Sequence, residues 1–282
     1  MARGPLLRLV SAGLVAALTG CAPPPAPIVP PEPAPPASVA PSASPAPPLA
    51  VVPPPPDLPV IDYWPSPVGF PADPSPLSRE RLTEGLRPGS RLAVYDAPGG
   101  LPRAYLDPTI RGVGLTLPIV ERRSDWVAVL LPSVNRSVGW LPPGGWTTVP
   151  LRDQLLVDRS AHELRWLRDG RLVRSWVVTV GLDATPTPLG RTFVLGRTGP
   201  TSYVYGGTDI FALGAVPDDP DAVPPGLRGA HIGLHTWYHD GELGRNTTDG
   251  CIRLTRSGQQ QLLDEIVPGT EVLVVDHLKR AR

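Results

Sequence analysis

Cysteine is nearly missing from this chain of 282 residues: there are two, Cys21 and Cys251. So few thiols exclude a disulfide-stapled scaffold, and each cysteine needs its own explanation. Net charge is missing too, because 26 Lys and Arg are matched by 26 Asp and Glu. The basic residues are scattered, which lacks the electrostatic footprint of a nucleic-acid binder, so no nucleic-acid partner is expected. The apolar run Leu9–Leu18 is too short for a membrane-spanning helix, which needs about 20 residues. Proline is the abundant residue: there are 41, more than half of them between Pro23 and Pro76.

Arg3 and Arg8 lead into Leu9–Leu18, the order of an export signal. The run ends in Leu18-Thr19-Gly20-Cys21, which resembles a bacterial lipobox, the motif whose cysteine becomes a lipidated N-terminus. Residues 1–21 are therefore expected to be a signal peptide. The mature chain would be exported and anchored by lipid on Cys21 to the outer face of the bacterial membrane. Residues 22–78 read as a linker, since Pro23-Pro24-Pro25 and Pro53–Pro56 favour extended polyproline conformation. At about 3.1 Å per residue such a tether reaches on the order of 100 Å. Trp64 and Phe70, near its end, are candidates for packing on the next domain. Lipidation would account for Cys21 and leave Cys251 as a lone thiol, either reactive or buried and inert.

The rest reads as mainly β. Across residues 79–150, Arg91–Tyr95, Leu115–Val120, Trp126–Leu131 and Val138–Leu141 are short apolar stretches broken by turns. The tokens Val94-Tyr95-Asp96-Ala97-Pro98-Gly99-Gly100, Asp125-Trp126-Val127-Ala128-Val129 and Gly139-Trp140-Leu141 resemble a bacterial SH3-like barrel. Such a module either binds the wall or serves as a packing scaffold. Residues 151–282 continue with strand patterns at Gln154–Asp158, Glu163–Leu167, Arg171–Val180, Thr192–Leu195 and Glu271–Val275. Asp169-Gly170 between two alternating runs is a hairpin turn signal. One helix is expected over Arg256–Val267, with Leu262, Leu263 and Ile266 at helical spacing and Pro268-Gly269 to end it.

Chemistry concentrates in Ile232-Gly233-Leu234-His235-Thr236 and Gly244–Leu254. A thiol is nucleophilic as its thiolate, and an imidazole can take its proton. Gly250, directly before Cys251, permits close backbone approach to a developing oxyanion. Each feature alone is weak. Together, Thr248, Gly250, Cys251, Ile252 and Arg253 resemble the signature of the L,D-transpeptidase (YkuD-type) family. Val157-Asp158, Gly181, Thr185-Pro186-Thr187-Pro188-Leu189-Gly190 and Pro268-Gly269-Thr270 occur in the family's order. The resemblance spans about 130 residues and implies a β-sandwich-like catalytic domain needing no cofactor. Its partners would be the donor and acceptor stem peptides of peptidoglycan. Cys251 would attack the amide after the third residue of a tetrapeptide stem, and His235, oriented by the Thr236 carbonyl, would be the base. The thioester would pass to a neighbouring side-chain amine, giving a 3→3 link; transfer to water or to a protein amine is the alternative.

One position departs from the family: Asp249 stands where a His is usual. A carboxylate there would raise the pKa of Cys251 or else accept a hydrogen bond from His235. A decayed, non-catalytic wall-binding protein is the rival reading of this departure. Arg253 suits a substrate carboxylate or a structural ion pair. Asn246 would order its loop through bonds to backbone. Residues 196–230 look like a flap, with Tyr203 and Tyr205 either lining the site or packing. His231, His235 and His239, with Asp240, are spaced for a metal, yet Ile232 stands where a zinc helix carries Glu. No metal is expected.

Overall fold

The computed structural model describes residues 49–64, 67–133, 136–200, 202–214 and 232–278. The signal and lipobox reading with Cys21, residues 22–48, 65 and 66 of the linker, residues 201 and 215–230 of the flap, and His231 lie outside the described residues.

Apolar stretches cut by Gly and Pro turns give nine strands before residue 151. They are β1 (Glu84–Pro88), β2 (Leu92–Tyr95), β3 (Pro102–Leu106), β4 (Thr109–Ile110), β5 (Val113–Gly114), β6 (Leu117–Arg123), β7 (Trp126–Leu130), β8 (Val138–Leu141) and β9 (Trp146–Pro150). Seven of these form an antiparallel sheet in the order β3-β2-β8-β7-β6-β1-β9, while β4 and β5 make a small hairpin. Every residue of β7 and β8 is buried, so these apolar runs lack the alternation of a half-exposed strand. Trp126 sits edge-on to Tyr95 at 5.1 Å in the centre of this half.

The second half holds β10 (Asp153–Asp158), β11 (Glu163–Arg168), β12 (Arg171–Val177), β13 (Val180–Gly181), β14 (Gly190–Thr198), β15 (Ile210–Leu213), β16 (Gly233–His235), β17 (Asn246–Thr248), β18 (Ile252–Arg253) and β19 (Glu271–Val275). Eight of them form a mixed sheet, β12-β11-β10-β19-β14-β15-β16-β18. At the β11–β12 turn Asp169 and Gly170 have φ of 50° and 76°, the positive pair that a tight hairpin demands. The helix α1 (Arg256–Glu265) is capped by Thr255, whose hydroxyl accepts the Gly258 N–H, and it buries Leu262 and Leu263. The mainly β reading with one helix therefore describes the architecture of these residues.

One apolar cluster runs through both halves, from Val94 and Trp126 to Phe193 and Leu234. Described residues between 49 and 78 join it: Ile61 and Tyr63 lie within the cluster, and Val52, Trp64 and Phe70 pack against it. The Tyr95 hydroxyl donates to the Val52 carbonyl at 2.7 Å, and the Tyr105 hydroxyl to the Pro55 carbonyl at 3.0 Å. Val60 and Ala72 bridge to Tyr105 and Ser137. Ile61 and Tyr63 are buried. The physical reason is that extended proline-rich backbone leaves its carbonyls unpaired, and nearby hydroxyls and strand edges take them up. Asp73 then forms a bidentate pair with Arg191 of β14, both bonds 2.6 Å, with side chains 1% and 5% exposed respectively.

Close by, Glu271 of β19 is fully buried, accepting the Leu82 N–H at 3.1 Å and the Gln154 amide at 2.9 Å. Burial lifts its pKa from 4.5 to about 7, against the pull of those bonds and of Arg191. Folded protein thus keeps a proton that the unfolded chain releases. The stabilisation is complete below pH 4.5 and lost as pH rises through about 7. Unfolding free energies of wild type and Glu271→Gln, measured in denaturant from pH 4 to 8, should diverge by about 3 kcal/mol in favour of the variant at the high end. A constant difference would show that Glu271 titrates normally. Asp73→Asn strands a buried guanidinium and should cost about 3–5 kcal/mol. Asp169→Asn, at the exposed Arg152 pair, should leave stability nearly unchanged in the same assay, because water and salt screen a surface pair.

Candidate active site

β16 and β18 pair in parallel, with Leu234 opposite Ile252 and His235 opposite Arg253. That register sets Cys251, the residue ahead of Ile252, beside Gly233, whose N–H donates to Cys251 Sγ at 3.4 Å. Gly233 and His235 lie on one face of their strand. His235 Cδ2 stands 3.5 Å from where a Cβ at Gly233 would sit. A side chain at 233 would therefore press on Ile210 Cγ2, 3.1 Å away, and on the His235 ring.

The ring has one orientation available. His235 Nδ1 donates to the Thr236 carbonyl at 2.6 Å, and since a carbonyl only accepts, Nε2 carries the free lone pair. Tyr205 packs edge-on against this ring at 4.9 Å, and its carbonyl accepts the Thr236 hydroxyl at 2.6 Å. Of the two flap tyrosines, Tyr205 thus packs on the site and Tyr203 is exposed.

Burial favours the neutral forms of both His235 and Cys251. Burial pushes His235 from 6.5 down to about 4, aided by the Arg253 charge and opposed by the Thr236 bond. Desolvation raises the Cys251 thiol; Asp249 adds to this, while the Gly233 N–H and Arg253 oppose it. Asp249 itself is exposed. With Nδ1 taken by Thr236, its influence is a field on the sulfur rather than a hydrogen bond to His235 Nδ1.

The turn before the cysteine is tied by one residue. The buried Thr248 hydroxyl donates to the Cys251 carbonyl at 2.6 Å and accepts the Gly250 N–H at 3.2 Å. Gly250 has φ of 105°, and a Cβ there would stand 3.0 Å from Ile232 Cδ1, so only glycine fits without strain. Its own N–H is committed to the Thr248 hydroxyl. Behind this turn, β17 pairs in parallel with β13, Gly181 opposite Thr248.

Arg253 is engaged structurally. Its Nη1 donates to Glu242 at 2.8 Å, and its guanidinium stacks over Trp237 at 3.6 Å from the ring centre. Glu242 also accepts the Thr247 hydroxyl at 3.1 Å. The cation serves the site through its field on Cys251 and His235. Asn246 bonds side chains rather than backbone, reaching His162 at 2.7 Å and Asp183 at 3.4 Å. His239 lies exposed beyond the strand end, its Nδ1 accepting the Gly241 N–H. The sequence placed Gly233 in the segment of interest without giving it a role, and it singled out neither Trp237 nor Glu242. The small residue two before His235 was the signal available for Gly233, whereas Glu242 carries none.

Residues 152–274 match the family model described as the L,D-transpeptidase catalytic domain, YkuD. That segment belongs to the YkuD family. A search of the curated proteins found no match. Among solved structures, an L,D-transpeptidase from Mycobacterium smegmatis is 15% identical over 56% of this chain and 77% of its own, at a TM-score of 0.35. The E. faecium L,D-transpeptidase catalytic domain is 22% identical over 44% of this chain and 96% of its own, at 0.31. L,D-transpeptidase 3 from Mycobacterium tuberculosis, in complex with a faropenem-derived adduct, is 16% identical over 49% and 74%, at 0.35. Scores this low carry no part of the assignment, which rests on the family match.

A neutral pair in a YkuD domain has a kinetic signature. Alkylation of Cys251 by iodoacetamide should be slow near pH 6 and climb about tenfold per pH unit through pH 8. A rate already on a plateau at pH 6 would instead mean a preformed thiolate–imidazolium pair. Asp249→Asn removes a charge that raises the thiol pKa, so it should speed alkylation at pH 8 by a few-fold.

Proposed function

We propose that this protein is a peptidoglycan L,D-transpeptidase that works through a Cys251 thioester. The observation that carries the reading is the Gly233 N–H bonded to Cys251 Sγ at 3.4 Å, beside a His235 ring fixed with Nε2 open. The sulfur attacks the carbonyl carbon of the amide after the third stem residue as Nε2 takes its proton. The new S–C bond replaces the C–N bond, and the proton leaves on the amine of the terminal D-residue. An acceptor side-chain amine then attacks the thioester, forming the 3→3 amide and restoring the thiol. Because the pair starts neutral, proton transfer and attack are coupled, and Arg253 steadies the sulfur's negative charge without touching it.

The first sheet acts as a scaffold for this chemistry, a role supported by the apolar cluster shared between the halves. An exported, lipid-anchored location is supported by Arg3, Arg8, the apolar run and Leu18-Thr19-Gly20-Cys21. Cys21→Ala should shift the protein from the membrane fraction to the soluble fraction on cell lysis. An unchanged distribution would remove the lipid anchor from the proposal.

Intact-mass spectrometry tests the reaction. Incubated with a tetrapeptide-stem disaccharide or with a carbapenem, the protein should gain a mass adduct that Cys251→Ala lacks, and the first mixture should yield dimeric muropeptide. Tripeptide without dimer would assign the acyl-enzyme to water, making the protein a carboxypeptidase. A folded protein with a free thiol and no adduct from either reagent would exclude catalysis.

A further inference from the structure

β12 is the outer strand of the second sheet, hydrogen-bonded to β11 and to no other described strand. Of its residues only Trp176 is half-buried, its indole against Gly258 of α1. The rest stand in solvent although three are apolar: Leu172 is 61% exposed, Val173 45% and Val177 56%. Apolar side chains grouped on a strand edge mark a place where another chain settles. The backbone is open there as well. The Val178 N–H donates to the His162 carbonyl at 2.8 Å, while Val177 stands opposite Glu163 and Ser175 opposite Arg165. Alternation along an antiparallel ladder then turns the N–H and C=O of Val177 and Ser175 away from β11. Val173 is the extra residue of a bulge, so the pairing is regular from Arg174 to Val177.

The charge on this edge is of one sign. Arg171 and Arg174 are exposed, and neither has an acidic partner among the described residues. The arginines across the hairpin are matched, Arg165 by Glu163 and Arg168 by Asp153 and Glu265. Arg245 extends the row, exposed and likewise unmatched among the described residues. It lies by the far end of the strand, since a Cβ on the preceding Gly244 would be 3.6 Å from Val177 Cγ1. Charged side chains on an edge ordinarily guard it against pairing. A guard of a single sign disfavours a second copy, because the same arginines would meet across the pair. It leaves the edge open to a chain of the opposite charge.

We propose that β12 is a docking edge for an extended acidic segment of a partner protein. The segment adds a strand through the outward N–H and C=O groups of Ser175 and Val177 and sets its carboxylates against Arg171, Arg174 and Arg245. Its apolar side chains cover Leu172, Val173 and Val177. Main-chain bonds supply the grip, and the alternate side chains supply the selectivity. Docking of this kind does not involve Cys251.

The test uses the full chain and a fluorescein-labelled peptide of alternating Glu and Val, as long as β12, with Lys in place of Glu as the control. By fluorescence anisotropy the Glu peptide should bind and the Lys peptide should not. Arg174→Glu should weaken binding at least about tenfold, and Arg174→Lys by less than about threefold. Ser175→Pro removes an outward N–H that the β11 ladder does not use, and it should also weaken binding about tenfold. Failure of the Glu peptide to bind wild type would overturn the proposal. Equal binding by Ser175→Pro would overturn it too, since that marks attraction to any anionic surface, a membrane included. A dimer of the wild type in sedimentation that Ser175→Pro abolishes would make a second copy the occupant and likewise overturn it. If Ser175→Pro does not fold, amide exchange in wild type decides. The Ser175 and Val177 amides should exchange fast alone and slowly with the Glu peptide, and unchanged exchange overturns the proposal.

Discussion

Parallel pairing of two very short strands organises the catalytic half. Antiparallel neighbours can be joined by a tight turn, but parallel ones require the chain to travel back before it pairs again. After His235 the chain therefore runs through Trp237, Glu242 and the short β17 before delivering Cys251 beside Gly233. That return path supplies the surroundings of the reacting pair. Trp237 and Glu242 hold Arg253, Thr248 ties the turn, and β17 is fixed against β13. Two residues of β16–β18 register thus set the position of Cys251, His235 and Arg253 together.

Electrostatics at this site favour readiness over reactivity. Burial drives both the imidazole and the thiol toward their neutral forms. Arg253 depresses both pKa values, which keeps the base unprotonated and eases thiolate formation. Asp249 works against the second effect from an exposed position, where water and salt weaken it. Desolvation in this way favours the SH form of Cys251. Among the described residues Cys251 is the free cysteine, and keeping it protonated slows oxidation, which depends on thiolate character.

The parts of this arrangement that could be read from sequence are those encoded locally. Asp169-Gly170 announced its turn, Thr255 and Pro268-Gly269 bracket α1, and the buried strands β7 and β8 stood out as apolar runs. The Gly250-Cys251 turn and His235 were visible as a pattern of residue types. The features that escaped are encoded by contacts distant in sequence. β16, β17 and β18 are three, three and two residues long, too short for any periodicity to register. Asn246 was expected to bond backbone, because that is the usual local role of its type, and instead found His162 eighty-four positions away. In residues 49–78 the aromatic residues Trp64 and Phe70 hinted at packing, and both lie against the apolar cluster, whereas proline content alone gave no sign that extended backbone would be adopted as part of the fold.

The Asp73–Arg191 pair gives that last point a wider consequence. Its two partners are 118 positions apart, and one of them precedes both sheets. The catalytic module is therefore contiguous in space but not along the chain. Shuffling by recombination at the strand-rich boundary near residue 151 would hand a new host the sheet with its cysteine and histidine, yet leave Arg191 buried without its counter-ion. Descendants of such an event would have to reinvent a partner for that arginine or lose it. Diversification of this architecture is accordingly channelled toward change within the whole unit, not toward exchange of its halves.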